Sequence, residues 1–220
     1  MRTKTWAGVA AWGLLAVGAI ALEETNHQPR VVAVNNPLPI PALPVPPVLA
    51  APQPAPAPVC TTATGPFVPT RVALPGIVHR IPVLPLHRDA NGTPGVPPLS
   101  GLGKTEMAFD LGSALKSGIQ PGSDHGNALL NAHTWPDGSG LGNRLLAKLH
   151  EGDRIVLHGS GGQLCYRVID RVEVPATDPG TRFYATTGKP QIAIVVCSGQ
   201  RLGPGHWTMR TIWYATPFYS

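Results

Sequence analysis

The alternation of apolar and polar positions changes character along this chain. From Trp6 to Leu22 all seventeen residues are apolar or small, with Arg2 and Lys4 before them and Glu23-Glu24 after. That length is at the short end of what spans a bilayer as a helix. The basic flank predicts a cytoplasmic N-terminus and an exported remainder. Ala19-Ile20-Ala21 also looks like a signal-peptidase site. Residues 1–25 therefore read as a signal anchor or a cleaved signal peptide, with the anchor preferred. From Pro29 to Pro58 no period survives, because eleven of thirty residues are proline, against seven in the last hundred. Proline gives no ladder donor, and such sequence adopts extended polyproline II at about 3.1 Å per residue. Residues 26–69 are read as an extended linker, able to reach roughly 90 Å over thirty residues.

From Thr70 a period of two takes over. Arg71–Pro75 and Gly76–Leu84 predict short edge strands, since edges tolerate proline. Glu106–Asp110 and Ala128–His133 are further strand candidates. Leu141, Leu145, Leu146 and Leu149 mark one face of a short amphipathic helix. Glu151-Gly152-Asp153 turns the chain into Arg154–His158, and Gly159-Ser160-Gly161-Gly162 signals a hairpin into Gln163–Ile169. The run Gln191–Cys197 reads as a buried strand broken by Ser198-Gly199, and Thr208–Ala215 as the last strand. Many short strands with one or two short helices predict a mainly β domain over 70–220, a barrel or sandwich. Its length suffices for a sizeable core.

Charge changes this picture little. The formal net charge is +5 with a pI near 9.4, compatible with an anionic cell-wall polymer, membrane surface or nucleic acid. No block of five Lys/Arg occurs and aromatics do not interleave with basic residues, which argues against nucleic acid. None of the three cysteines has a CxxC neighbour or a zinc-like histidine spacing, so no metal or cofactor is expected.

Chemistry concentrates at the end of the chain. Cys197 closes an apolar run, Arg210 follows thirteen residues later, and His133 ends an earlier run. Thiol, imidazole and guanidinium together would supply a nucleophile, a base and a charge stabiliser. Taken alone, Cys197 is as readily an inert core thiol. With three cysteines at least one has no partner within the chain. A Cys165–Cys197 disulfide is the sharper rival, since export permits one. Cys165 itself reads as a core residue and Cys60 as an incidental residue of the linker. Arg201 is the fallback for Arg210, Asp153 is expected to fix a turn, and His125, His150, His158 and His206 read as structural or surface residues near turns or exposed edges.

In this order the motifs resemble those of a sortase, most closely the actinobacterial class F or E. Asn131-Ala132-His133-Thr134-Trp135 is similar to the family's histidine motif, and Leu149–Ile155 to its L-x-x-G-D-x-I segment. Val195-Val196-Cys197-Ser198-Gly199 is similar to the nucleophile motif, and Trp207–Trp213 to the strand bearing the essential arginine. The resemblance covers about 69–218, and the upstream anchor and spacer fit it. It departs at Val196, where threonine is common, and at Ala132, where glycine is usual. It implies a sortase-like eight-stranded β-barrel with His133, Cys197 and Arg210 catalytic and with Val196, Trp135 and Trp207 touching substrate.

The activity so implied is cleavage of an LPxTG-like signal on a surface protein at a Thr–Gly-type bond. A thioacyl enzyme would form, and the substrate would pass to an amine such as a peptidoglycan precursor. The implied location is the cell membrane, facing outward, or the exterior if the signal is cleaved. Two rivals remain: a non-catalytic envelope-anchored binding domain on the same fold, and an L,D-transpeptidase. The second is disfavoured, because its histidine motif lies a dozen or so residues before the cysteine, whereas His133 precedes Cys197 by 64.

Overall fold

The computed structural model describes residues 60–178 and 180–219. They fall within one compact unit, Gln53–Ser220. The expected anchor and most of the expected linker lie outside the described residues. Among those described, no helix is long and apolar enough to cross a membrane.

Eight strands are present: β1 (Arg71–Leu74), β2 (Val78–Leu86), β3 (Met107–Asp110), β4 (Asn127–Ala132), β5 (Arg154–Gly159), β6 (Gly162–Pro175), β7 (Gln191–Gly203) and β8 (His206–Phe218). They close into a barrel in the order β1-β2-β3-β4-β7-β8-β6-β5. The β2/β3 and β4/β7 pairs are parallel and the others antiparallel. Helix α1 (Leu111–Ser117) follows β3 and α2 (Leu141–Lys148) follows β4. The residue pattern leaves barrel and sandwich open, and the closed barrel with two short helices is the architecture the motif resemblance implies.

The period of two sorts side chains into two layers. Ala128, Leu130 and Ala132 of β4 point inward with Ile192, Ile194 and Val196 of β7, around Tyr166 and Trp213. The intervening Leu129, Ala193, Val195, Ile212 and Tyr214 face outward, where Phe183 covers them. Strands covered on both faces read as unbroken apolar runs, which is why Gln191–Cys197 looked buried throughout.

Four expectations need correction. β1 and β2 are not edge strands, because closure leaves none; β2 carries Pro82 opposite Arg71 and Pro85 opposite Phe109. β7 does not end at Cys197 but runs on to Gly203, with a register shift between Ser198 and Arg201. Gly199 there has φ +73°, and a Cβ on it would lie 2.5 Å from Thr208 Oγ1. Ser198-Gly199 is thus a bulge, a device that re-aims neighbouring side chains, rather than a strand end.

The third correction concerns Cys60 and Cys165, which form a disulfide. A Cys165–Cys197 bridge is excluded because β8 lies between β6 and β7. Cys165 is buried, as expected, but faces outward beside Val156 and Phe218. Fourth, the chain from Cys60 onward is bound to the barrel rather than free. Thr61 Oγ1 donates to Phe218 O at 2.8 Å, and the Thr62 and Ala63 amides donate to Gln163 O.

Candidate active site

Strand order brings the expected residues together. Cys197 on β7 pairs directly with Arg210 on β8. On the other side of β7, Ala132 is opposite Val196, so His133 continues β4 towards the next rung, that of Cys197. Inward-facing Val196 leaves Val195 and Cys197 on the outer face, and the same alternation puts Asn131 and His133 outside on β4. His133, just past the end of β4, Cys197 on β7 and Arg210 on β8 all line one cleft of about 730 Å3.

The local sequence explains how each is held. The β4–α2 connection is clamped by backbone: Gly142 N donates to His133 O at 2.8 Å. Asn143 Oδ1 accepts from Trp135 N and Gly140 N. A Cβ on Gly142 would lie 2.7 Å from His133 O, so that approach requires glycine. Thr134 Oγ1 donates to Cys197 O at 2.6 Å, tying the histidine segment to the cysteine backbone. Arg210 Nη1 donates to Met209 O at 2.8 Å and Trp207 O at 3.3 Å, which anchors the guanidinium to its own strand.

Cys197 is the free cysteine among the described residues. Burial pushes its thiol above the ordinary range, and the nearby Arg210 charge opposes that shift. The balance keeps the sulfur protonated at neutral pH. His133 Nε2 meets Pro97 O at 2.6 Å, and its ring stands edge-on to Trp135 at 5.8 Å.

Pro97 belongs to a strap, residues 87–100, between β2 and a 3₁₀ turn at Gly101–Thr105. Thr93, Pro94, Val96 and Leu99 of the strap form one wall of the cleft. Its root is fixed by Arg88, whose Nε and Nη2 donate to Asp110 and whose Nη2 also donates to Ser113 Oγ. Asp110 is fully buried and accepts the Gly112 amide at the start of α1. The Tyr184 ring lies 5.8 Å from the same guanidinium and forms another part of the cleft wall.

Of the remaining expected residues, Trp135 and Trp207 wall the cleft, as does Arg201. Val196 borders it too, but it is 2% exposed and its side chain packs into the barrel core. Asp153 does fix a turn, accepting the His150 amide at 2.8 Å. Asn131, Arg88 and the strap were not singled out from the sequence. The Pro/Gly-rich strap has no period to mark it, and Asn131 was quoted only as part of a motif. No group of three or more metal-ligating side chains forms among the described residues. A thiol, an imidazole and an anchored guanidinium in one cleft permit nucleophilic attack, proton transfer and charge stabilisation.

The family model described as the sortase domain matches residues 79–218. Streptococcus agalactiae sortase C1, in its complex with MTSET, superposes with a TM-score of 0.50 at 18% identity, over 69% of this chain and 70% of that one. Corynebacterium diphtheriae sortase A gives 0.50 at 17%, over 70% of this chain and 61% of that one. At these identities the likeness is one of fold. No curated protein matches the sequence.

Proposed function

The chain belongs to the sortase family, and on that premise we propose that it is an exported cysteine transpeptidase of the class F/E-like kind. It acts on surface proteins bearing an LPxTG-like signal. Cys197 Sγ gives its proton to His133 as it attacks the carbonyl carbon of a Thr–Gly-type bond, and the guanidinium of Arg210 stabilises the oxyanion. His133 protonates the departing amine, the C–N bond breaks and a thioester remains. An acceptor amine, such as that of a peptidoglycan precursor, then attacks the thioester and gives a proton to His133, the C–S bond breaks, and His133 returns that proton to the departing sulfur. Trp135 and Trp207 shape the cleft around the peptide.

The observation that carries this reading is the direct register pairing of Cys197 with Arg210 in a cleft shared with His133. The Cys60–Cys165 disulfide supports export, since such bonds persist in oxidising compartments. We assign the N-terminal apolar run to membrane anchoring on its length and basic flank.

The test is cleavage of a library of LPxTG-like peptides with and without amine acceptors, alongside labelling by a methanethiosulfonate. Wild type should form an amide product and carry one label, on Cys197. Arg210→Gln should lose about 10²–10³ in rate, and Cys197→Ala should neither cleave nor label. Full cleavage by Cys197→Ala, or a thiol that never reacts, would sink the enzymatic reading. Peptide binding without cleavage would instead favour an envelope-anchored binding domain.

A further inference from the structure

One side chain on the cleft floor has its hydrogen-bond acceptor unused. Asn131 lies on β4, two residues before His133 and opposite Val195. It is 8% exposed and borders the cleft. Its Nδ2 donates to Gly95 O of the strap at 2.8 Å. Its Oδ1 is sealed from solvent and has no hydrogen-bond partner. The Gly95 carbonyl can only accept, which fixes which end of the carboxamide is nitrogen. A buried acceptor left without a donor costs free energy that a well-placed N–H would restore.

The strap accounts for the deficit. Gly95 O rests on Asn131 and Pro97 O on His133. Two carbonyls two residues apart thus meet two side chains two residues apart, the repeat of an extended peptide laid along a strand. The cleft floor therefore already holds a peptide backbone in a defined register. The strap is nonetheless poor in donors, because Pro94, Pro97 and Pro98 have no N–H. It satisfies Nδ2 and leaves Oδ1 empty. A peptide with an N–H at that point would satisfy both ends of the carboxamide and so outcompete the strap.

We propose that Asn131 is a substrate-binding residue that holds the backbone of the peptide substrate. When substrate replaces the strap over β4, Oδ1 accepts an N–H lying within two residues of the carbonyl that Cys197 attacks. Nδ2 meanwhile donates to a substrate carbonyl as it now does to Gly95. This rests on the transpeptidase reading above and adds a polar recognition element to a largely apolar cleft.

A backbone scan tests it in the full chain. A cleaved peptide is resynthesised with each amide except the scissile one replaced in turn by an ester, which deletes one N–H at a time. In wild type, one such ester near the attacked carbonyl should lower kcat/KM about tenfold. Asn131→Leu should already cleave the all-amide peptide about tenfold more slowly, and that same ester should cost it nothing further. Asn131→Ala should give the same profile, covering the case in which leucine's bulk unfolds the barrel; thermal melting reports folding. Binding of the amide and ester peptides to Cys197→Ala protein should show the same difference without chemistry. Ester profiles identical in wild type and both Asn131 variants would overturn the assignment and leave the transpeptidase reading standing. Failure of wild type to cleave any peptide would overturn both.

Discussion

The chemistry of Cys197 is set by two opposed influences: burial raises its thiol and Arg210 lowers it. The folded state favours the neutral thiol, so the thiolate that reacts is scarce at neutral pH. Labelling of Cys197 should therefore accelerate as pH rises, with a midpoint above that of a free cysteine. Arg210→Gln, by removing the opposing charge, should move that midpoint further up. The linkage has a definite sign. Cys197 contributes its stability below the ordinary thiol range and loses it as pH climbs through the raised value. Melting of wild type against Cys197→Ala between neutral and alkaline pH measures the loss. Position 196 shows why a motif departure can be mild: alternation turns Val196 into the core. The hydroxyl that reaches this part of the chain comes instead from Thr134, bound to Cys197 O.

Among the elements, the strap depends on a single ion pair at its root. Asp110 is fully buried and Arg88 grips it from β2's end. Arg88→Ala would leave a buried carboxylate without its cation, a change that costs about 3–5 kcal/mol. Chemical denaturation should show that loss, and Arg88→Ala/Asp110→Ala should recover part of it. Here the limits of the sequence become clear. The β4 and β7 runs and the leucine face of α2 were legible because their periods are strong. Helix α1 was missed although Asp110 caps it, because seven residues give too little periodicity. The continuation of β7 was missed because Ser198-Gly199 has the composition of a turn and the geometry of a bulge. The strap's docking on His133 is a tertiary contact, and nothing local in Thr93–Pro98 encodes it.

For the molecule as a whole, barrel closure and one disulfide decide where the chain is held. The order of strands fixes Cys197 beside Arg210 and keeps it apart from Cys165. Cysteine spacing could not show this, since it carries no information about which strand lies between. The bond joins residues 105 apart, and removing a native disulfide typically costs about 2–5 kcal/mol. Cys60→Ser should lower the melting temperature of the oxidised protein by a corresponding amount. Reductant should lower it equally in a Cys197→Ala background, where no other thiol is present to exchange. The bond also has a mechanical consequence. Tension arriving through the chain ahead of Cys60 enters the barrel at Cys165, inside a strand flanked by β5 and β8. The load bypasses the hydrogen bonds of Thr61 and Thr62, which a pull would otherwise open one after another. With the bond intact the load reaches β6 at Cys165 directly, and with it reduced the load falls first on the hydrogen bonds of Thr61, Thr62 and Ala63.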